Sequence, residues 1–377
     1  MSARIYLDNN ASTYLDPRIS EELGKVLESL GANPSSVHLS GQAIRNLINK
    51  ARYTVASFLK VKPNEILFTS GGTESSNMII HGILHNSAKG HVITSSTEHA
   101  CVHSTIKQFE SLGFEVSFLN AGEWGAVSPE SVLAAIRPNT QLIALMAVNN
   151  ETGVKTDIAA IADIAARHAI PFFVDAVALL GKELFDIPPG VGAMSFSGHK
   201  LHTLQGTGVA FIRSGLKLKP LLYGGEQEFG RRAGTENVLG IAGFAKAIEL
   251  LKEELPHASL RMERLRDSFE RHLIEALPRI AINGRGPRVV NVSNVAFPGV
   301  DGETLLIGLD QAGVSASHGS ACSSGALEPS RILLSMGIPL DLVRSSLRFS
   351  LSRFTTEEEI EAACAIITRL VKRFQAS

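Results

Sequence analysis

The chain has 377 residues, enough for two domains, with 44% hydrophobic and 19% charged residues, which excludes a disordered protein. Lys and Arg number 36 against 37 Asp and Glu, and a formal net charge of −1 argues against a general surface for nucleic acid or anionic membranes. No run approaches the roughly 18 apolar residues of a membrane span. The first residues, MSARIYLDNNAST, lack the apolar core of a signal peptide, so we expect a cytoplasmic protein.

Short apolar runs alternate with amphipathic segments, such as residues 157–169, from about residue 62 to 213. Continuously apolar strands separated by helices predict an α/β fold with a mainly parallel sheet covered on both faces. The last two runs are too close in sequence for a helix between them and predict a hairpin. The runs are EILFT (65–69), HVITSS (91–96), EVSFL (115–119), QLIALMAV (141–148), PFFVD (171–175), AMSFS (193–197) and GVAFI (208–212).

From about residue 256 the pattern changes and predicts a second, smaller α/β domain. A long charged helix is predicted over 260–277, and a helix near 301–312 follows the run VVNVSNVAF. SSLRFSLS and a final helix over 357–374 complete the chain. We therefore predict a large domain over 15–255 and a small domain formed by 1–14 and 256–377.

Polar or glycine-rich sequences follow strand after strand of the predicted sheet. SGGTESS, TEHACVH, NNETG and GHK each come directly after an apolar run, and Asp175 ends another. Ligands of open α/β sheets bind beyond the carboxyl ends of the strands. These sequences therefore predict one ligand site at that edge.

SGGTESS (70–76) joins a predicted strand to a predicted helix. Glycines let a backbone approach a phosphate group, and the amides at a helix N-terminus bind it. The segment therefore indicates a phosphate site, and the alternative is an ordinary turn in which a threonine caps the helix.

Lys200 follows a strand directly, and Asp175 ends one. A lysine so placed can form a Schiff base with an aldehyde cofactor, although most lysines are solvated surface residues. A carboxylate at the end of an apolar strand needs a partner, and the protonated ring nitrogen of pyridoxal 5'-phosphate (PLP) is one such partner. A structural hydrogen bond is the alternative for Asp175.

His99, in STEHACVH, has two interpretations. An imidazole there could stack on a flat cofactor or transfer protons. The alternative is a metal site formed by His99, Cys101 and His103 with Cys322, but the usual CxxC or HExxH spacing is missing.

Arg348, in SSLRFSLS, alternates with apolar neighbours, which predicts that it lies outside the core. A guanidinium there could bind an amino-acid carboxylate or form a surface ion pair.

Cys322 lies in SHGSACSSGALEPS (317–330), where small residues predict a mobile loop that carries a working thiol. Three cysteines without a CxxC give no disulfide framework, and we expect Cys364 to be a core residue and Cys101 to pack near His99.

Taken together, these segments resemble the signatures of NifS/IscS-type cysteine desulfurases, a branch of the class-V aminotransferases with the fold-type I PLP-dependent transferase fold. The motifs are NPSSVH, TSGGTES, NNETG, SGHKLH, GRRAGTEN and GSACSSGALEPS, and the resemblance runs from YLDNNAS (6–12) to RFTTEEEI (353–360). It implies a mainly parallel seven-stranded sheet covered by helices, plus a smaller α/β domain.

The resemblance also implies residue roles. Lys200 would carry PLP through a Schiff base, Asp175 would pair with the ring nitrogen and His99 would stack on the ring. Cys322 would be the nucleophile that takes the substrate's sulfur. The remaining roles are phosphate binding by Gly72, Thr73, Ser197 and His199, a cofactor contact by Asn150, substrate carboxylate binding by Asn33 and Arg348, and a contact from Thr235 to the phosphate of a partner subunit.

The sequence departs from the family pattern after the aspartate. The family reads DAxQ, with the Gln touching the cofactor's phenolic oxygen, whereas this chain has Ala178 at that position. A second departure is Thr203-Leu204-Gln205-Gly206 after SGHKLH, where the family pattern continues with a lysine. We expect PLP to bind nevertheless, because the predicted phosphate site, Lys200 and Asp175 remain.

The activity implied is removal of sulfur from L-cysteine, which yields L-alanine and a persulfide on Cys322. The implied partners are a second subunit in a homodimer with shared active sites and a sulfur acceptor or iron-sulfur scaffold protein, with no direct contact to nucleic acid or membrane. The alternatives are a selenocysteine lyase, another class-V PLP enzyme, or a weakly active PLP-binding partner protein, the last favoured only by Ala178.

Overall fold

The computed structural model describes residues 4–29, 31–85, 89–319 and 328–376. Cys322 lies outside these ranges. None of the helices described there is both long and apolar enough to cross a membrane. The strands are β1 (Ile5–Tyr6), β2 (Ile66–Thr69), β3 (His91–Ser95), β4 (Glu115–Leu119), β5 (Thr140–Met146), β6 (Phe172–Asp175), β7 (Ala193–Ser197), β8 (Gly208–Ile212), β9 (Ala281–Ile282), β10 (Val292–Ala296), β11 (Val314–Ser315) and β12 (Ser346–Ser350).

The helices cover both faces of the sheet and the second region of the chain. They are α1 (Pro17–Ser29), α2 (Leu39–Leu59), α3 (Gly72–Leu84), α4 (Ala100–Ser111), α5 (Pro129–Ala135), α6 (Ile158–Arg167), α7 (Val238–Ala276), α8 (Gly302–Gln311), α9 (Arg331–Ser335), α10 (Leu340–Arg344) and α11 (Glu357–Gln375). A short 3-10 segment, Gly198–Lys200, follows β7 directly.

The central sheet has seven strands in the order β2-β8-β7-β6-β5-β3-β4. Only β8 runs against its neighbours, because it forms a hairpin with β7 and also pairs antiparallel with β2. The predicted mainly parallel sheet and the predicted hairpin are both confirmed. Since the other strands all point the same way, their carboxyl ends meet at one edge of the sheet.

Apolar side chains project from both faces of the sheet, as its continuously apolar strands predict. Phe172 packs with α2, α6 and α7 on one face, while its neighbour Phe173 packs with α3 and α4 on the other. Successive residues of a strand point to opposite faces, so a strand buried on both sides needs apolar residues throughout.

The second region forms its own core around the antiparallel sheet β12-β10-β9 and the parallel pair β1-β11. Phe269, Phe297 and Phe349 lie in this core, together with Ile367 of α11. Helix α7 is continuous from Val238 through Pro256 to Ala276, so the helix predicted over 260–277 is confirmed as far as Ala276 but begins much earlier, at Val238. Buried Leu255 and Ala258 continue its apolar face past the proline, and the predicted domain boundary therefore falls inside one helix.

Candidate active site

A cavity of about 160 Å³ lies at the carboxyl edge of the central sheet. It brings together most of the site residues that the sequence predicts, because β3, β5, β6 and β7 all end there. The predicted residues that line it are Gly72, Thr73, His99, Asn150, Asp175, Ser197, His199, Lys200 and Arg348.

One wall of the cavity is the N-terminus of α3. Gly71 is the N-cap residue and has no side-chain cap hydrogen bond, so the predicted alternative of a threonine cap does not apply. A Cβ added at Gly72 would meet Cγ2 of Val177 at 2.6 Å, so the wall needs a glycine. Gly72, Thr73, Ser197 and His199 also line an adjoining cavity. A helix N-terminus without a side-chain cap suits a phosphate group.

His199 lies beside this helix terminus as an uncharged imidazole at neutral pH. Burial, followed by the charges of Lys200 and Lys182, lowers the pKa of His199 to about 4. Its Nδ1 lies 3.3 Å from Oγ of Ser12. The ring is therefore fixed by the N-terminal segment and is a hydrogen-bonding group rather than a charge.

Lys200 is half-buried and is not a solvated surface lysine. Its amine donates to the main-chain oxygen of Asn10 and, at 2.7 Å, to that of Ala11. The N-terminal segment thus lies directly against Lys200. The 3-10 segment after β7 holds the lysine at the sheet edge.

Asp175 is buried at the end of β6. Its Oδ1 accepts hydrogen bonds from the Val177 N–H at 3.0 Å and the Ser195 hydroxyl at 3.3 Å. Burial raises the pKa of this carboxyl, and the charge of His99 opposes the rise. The structural hydrogen bonds of the alternative interpretation therefore exist, but a cationic group in the cavity would still stabilise the carboxylate.

His99 is the N-cap residue of α4, and its Nδ1 accepts from the Cys101 N–H at 3.2 Å. Oxygen, nitrogen and sulfur atoms of His99, Cys101 and Asp175 lie within 4.8 Å of one another. His103, a member of the metal set proposed from sequence, packs instead with its ring centroid 5.2 Å from that of Phe118. The alternative metal set is thus not assembled among the described residues, and Cys101 packs near His99 as predicted.

Arg348 is buried on β12 but lies outside the hydrophobic core, as its alternation predicts. Its guanidinium donates to Oδ1 of Asp8 at 2.9 Å and to the main-chain oxygen of Asn150 at 3.0 Å. The ion pair is buried rather than at the surface. Nε of Arg348 and Oδ1 of Asn150 are buried and have no hydrogen-bond partner in the described part of the chain.

Two predicted site residues, Asn33 and Thr235, do not line this cavity. Asn33 is exposed in a turn, where its Oδ1 accepts from the Ser35 N–H at 2.8 Å. Thr235 is exposed and lines a separate small cavity with Ser70 and Arg232. Cys322 lies outside the described residues, whereas Cys364 is buried in the second core as predicted.

The sequence did not point to two contributors to the cavity, which are Lys182 and the segment of Asn10 and Ala11. It also did not point to Glu98, which is fully buried and precedes His99. The Met146 N–H donates to Oε1 of Glu98 at 3.0 Å, and burial raises the pKa of this carboxyl well above its usual range. The available signals were weak: Glu98 precedes His99, and Lys182 lies one turn after Ala178.

Comparison with known proteins places this geometry in a family. The family model described as aminotransferase class-V matches residues 5–363. A protein of Nostoc sp. named cysteine desulfurase is 39% identical over 375 residues, covering 99% of this chain and 94% of the relative. One from Dictyoglomus turgidum, named cysteine desulfurase IscS, is 40% identical over 379 residues, covering 100% of this chain and 96% of the relative.

Solved structures agree with these relatives. A NifS-like protein superimposes with a TM-score of 0.91 at 34% identity, covering 98% of this chain and 100% of that chain. The NifS-like protein from Rickettsia africae gives 0.88 at 30% identity, covering 98% and 99%. The chain therefore belongs to the class-V aminotransferase family, in which it is a relative of the NifS/IscS-type cysteine desulfurases that its motifs predicted.

Proposed function

We propose that the protein is a PLP-dependent cysteine desulfurase that converts L-cysteine to L-alanine and holds the sulfur as a persulfide on Cys322. One observation carries the proposal. A single cavity combines a lysine amine, a buried carboxylate and a helix N-terminus without a side-chain cap, on Lys200, Asp175 and Gly72. The relatives named cysteine desulfurase, similar over nearly the whole chain, support the same activity.

The donor set of the cavity fits PLP, the cofactor of this family in general. The amides at the start of α3, with Thr73, Ser197 and His199, suit its phosphate. Asp175 suits a protonated ring nitrogen, because burial alone disfavours its charge. Lys200 would hold the cofactor, His99 would lie against its ring and Asn150 would contact it. When bound, PLP supplies an electron sink for the electron pair left when the substrate Cα loses its proton.

The chain's own residues would orient the substrate and move its protons. Arg348 would bind the carboxylate of L-cysteine, since its buried guanidinium lines the cavity and its Nε–H has no partner in the described residues. The amine of Lys200 would take the proton from Cα of the substrate and later return one.

Cys322 would perform the sulfur transfer. Its thiolate forms a bond to the sulfur of L-cysteine as the substrate's Cβ–S bond breaks and the bonding electrons pass to the carbon side. Protonation there yields alanine, so one cysteine and one thiol give one alanine and one persulfide, and no external oxidant is needed. A sulfur-acceptor or iron-sulfur scaffold protein would then take the outer sulfur.

Two residues outside the cavity would act across a homodimer. Thr235 is exposed, and we propose that it reaches the phosphate in a partner subunit. Asn33 is also exposed, and we propose that it contributes to substrate binding in the assembled dimer. Both roles require that two chains share their active sites.

A second candidate function is a PLP-binding protein with weak catalysis. The observation that favours it is Ala178, which lines the cavity with a methyl group and no polar atom. Such a protein would bind PLP and L-cysteine but form little alanine. Ala178→Gln would then raise the rate, whereas an unchanged rate would remove this candidate.

The test is to incubate the PLP-loaded protein with L-cysteine and a reductant and to quantify alanine and sulfide, with Cys322→Ala and Cys364→Ala in parallel. We expect equal amounts of alanine and sulfide from the wild type and from Cys364→Ala, because Cys364 is buried in the second core. Cys322→Ala should form neither. Sulfide formation by Cys322→Ala at the wild-type rate would contradict the proposed role of Cys322.

A further inference from the structure

Lys182 is a second amine in the cavity, and nothing in the site derived above uses it. It is only 3% exposed and lines the cavity together with Ala178 and Lys200. Its Nζ donates to the main-chain oxygen of Lys200 at 3.1 Å, which ties the two lysines together. The side chain is thus buried and held at the ligand cavity.

The amine of Lys182 has no anionic partner in the described residues. The adjacent carboxylate of Glu183 is occupied by Lys155 at 3.0 Å and by the Val290 N–H at 3.1 Å. The charged or titratable groups that act on Lys182, or on which it acts, are Lys200, Arg353, His199 and His202. All of them are basic, so no residue in the described part of the chain pairs a negative charge with this buried amine.

A buried amine that lacks a counter-ion is unfavourable unless something pairs with it. Burial, and then the charges of Lys200 and Arg353, lower the pKa of Lys182 to about 7. The surroundings therefore disfavour the charged form of the Lys182 amine. A ligand that brings an anionic oxygen to the amine would favour its charged form.

We propose that Lys182 is a ligand-binding residue whose amine binds an anionic oxygen of the cofactor or of the substrate in this cavity. The inference rests on the proposed function for the identity of these ligands. The cavity wall next to Lys182 favours the cofactor as the source: Val177 and Ala178 offer only apolar side chains there, so Lys182 supplies the side-chain donor of that segment. The carboxylate of the substrate is the other source of the same chemistry, and it already has Arg348.

The experiment measures PLP affinity by titration of the apoprotein and the KM and kcat for L-cysteine in the loaded enzyme. Lys182→Met removes the charge and the donor while keeping an unbranched side chain. We expect it to weaken PLP binding by about tenfold or more, the effect of losing a charge-assisted hydrogen bond. If PLP affinity stays unchanged and KM rises by about tenfold with a smaller change in kcat, the oxygen belongs to the substrate.

Lys182→Gln is the matched control because it keeps a donor for the main-chain oxygen of Lys200 but loses the charge. The proposal expects Lys182→Gln to weaken binding like Lys182→Met. Wild-type behaviour of Lys182→Gln would mean that only the hydrogen bond to Lys200 matters, and would overturn the proposal. Changes of less than about threefold in both PLP affinity and KM would also overturn it, provided that each variant unfolds cooperatively like the wild type.

Ala178→Gln provides a second test of Lys182, because position 178 lies four residues before Lys182 in the sequence and lines the same cavity. If Lys182 binds an oxygen of the cofactor, adding Ala178→Gln to Lys182→Met should partly restore PLP affinity. The same Ala178→Gln change in the wild type should alter PLP affinity less. The PLP titration does not depend on desulfurase activity, so it shows whether Lys182 binds the cofactor even if no alanine forms. A wild type that binds no PLP would overturn both this inference and the proposed function.

Discussion

The cavity has two walls that achieve binding by different means. The phosphate wall, formed by residues 71–73 with Ser197 and His199, offers main-chain amides, hydroxyls and an uncharged imidazole. The amine wall, formed by residues 175–182 with Lys200, holds buried ionisable groups in an otherwise apolar surface. The phosphate wall is built from local backbone geometry, whereas the amine wall depends on how charged groups from different parts of the chain are paired.

The difference determines how each wall responds to change. The phosphate wall needs a particular backbone shape, so steric changes should affect it most, as at Gly72. The amine wall holds Asp175 with a raised pKa and Lys182 with a lowered one, so changes of charge should affect it most.

Lys200→Ala should have the largest effect, because it removes the amine that would carry the cofactor and move the substrate proton. We expect the visible absorbance of bound PLP to be lost and alanine formation to fall by about a thousandfold or more. Dialysed protein would be measured by its absorbance and by alanine release. Bound PLP with an unchanged spectrum in this variant would show that another amine carries the cofactor.

Asp175→Asn should have the next largest effect, because it removes the negative charge that would keep the ring nitrogen protonated, with little change of shape. We expect the rate of alanine formation to fall by about a hundredfold while PLP still binds. Ser195→Ala is the control, since it removes a single 3.3 Å hydrogen bond to Oδ1 and leaves the charge. Equal rate losses in the two variants would contradict an electrostatic role for Asp175.

Gly72→Ala should affect the phosphate wall through sterics alone. The new Cβ would lie 2.6 Å from Cγ2 of Val177, so the start of α3 must shift, and we expect PLP affinity to fall by about tenfold. Gly24→Ala is the matched control, because a Cβ at this helical position meets nothing within 4 Å. The control should bind PLP normally and be slightly more stable, and a similar loss in both variants would point to a global effect.

A change at His202 should act on stability rather than on the reaction, and it should report the density of positive charge next to the amine wall. Burial, followed by the charges of Lys182 and Arg353, lowers the pKa of His202 to about 3. The unfolded chain takes up this proton as the pH falls below about 6.5, whereas the folded chain does not until about pH 3. The free energy of unfolding should therefore decrease through this window, by about 2 kcal/mol from this group between pH 7 and pH 5.

His202→Asn should remove this contribution, and asparagine tolerates the positive φ of 63° at this position. Denaturant unfolding at both pH values would measure the difference between wild type and variant, which cancels the contributions of other histidines. An equal loss of stability on acidification in the two proteins would contradict the neutral, buried state of His202.

Much of the sheet and of the phosphate wall could be predicted from the sequence, because both follow from local patterns. The apolar runs predicted each central strand, and the edge rule predicted that SGGTESS, Asp175 and Lys200 would meet. Family motifs then connected these residues to one kind of chemistry. The roles of Asn33 and Thr235 stay predictions, since neither residue lines the cavity.

Lys182 and the ion pair of Arg348 could not be predicted in the same way, because both depend on contacts between distant parts of the chain. Arg348 pairs with Asp8, which lies 340 residues away in sequence. Lys182 carries no pattern that separates it from a surface lysine, and its burial follows only from the packing of its turn. Helix α7 likewise continues past Pro256 because of packing. Burial of the apolar residues on either side of the proline outweighs the loss of the backbone hydrogen bond that proline cannot donate.

The most direct test of the central claim is to reduce the PLP-loaded protein with borohydride and to locate the attached pyridoxyl group by peptide mass spectrometry. Two amines line this cavity, and the account assigns the cofactor to Lys200 and a binding role to Lys182. It therefore predicts one pyridoxyl group per chain, on the peptide that contains Lys200. A group on Lys182, or labelling spread over surface lysines, would contradict the account.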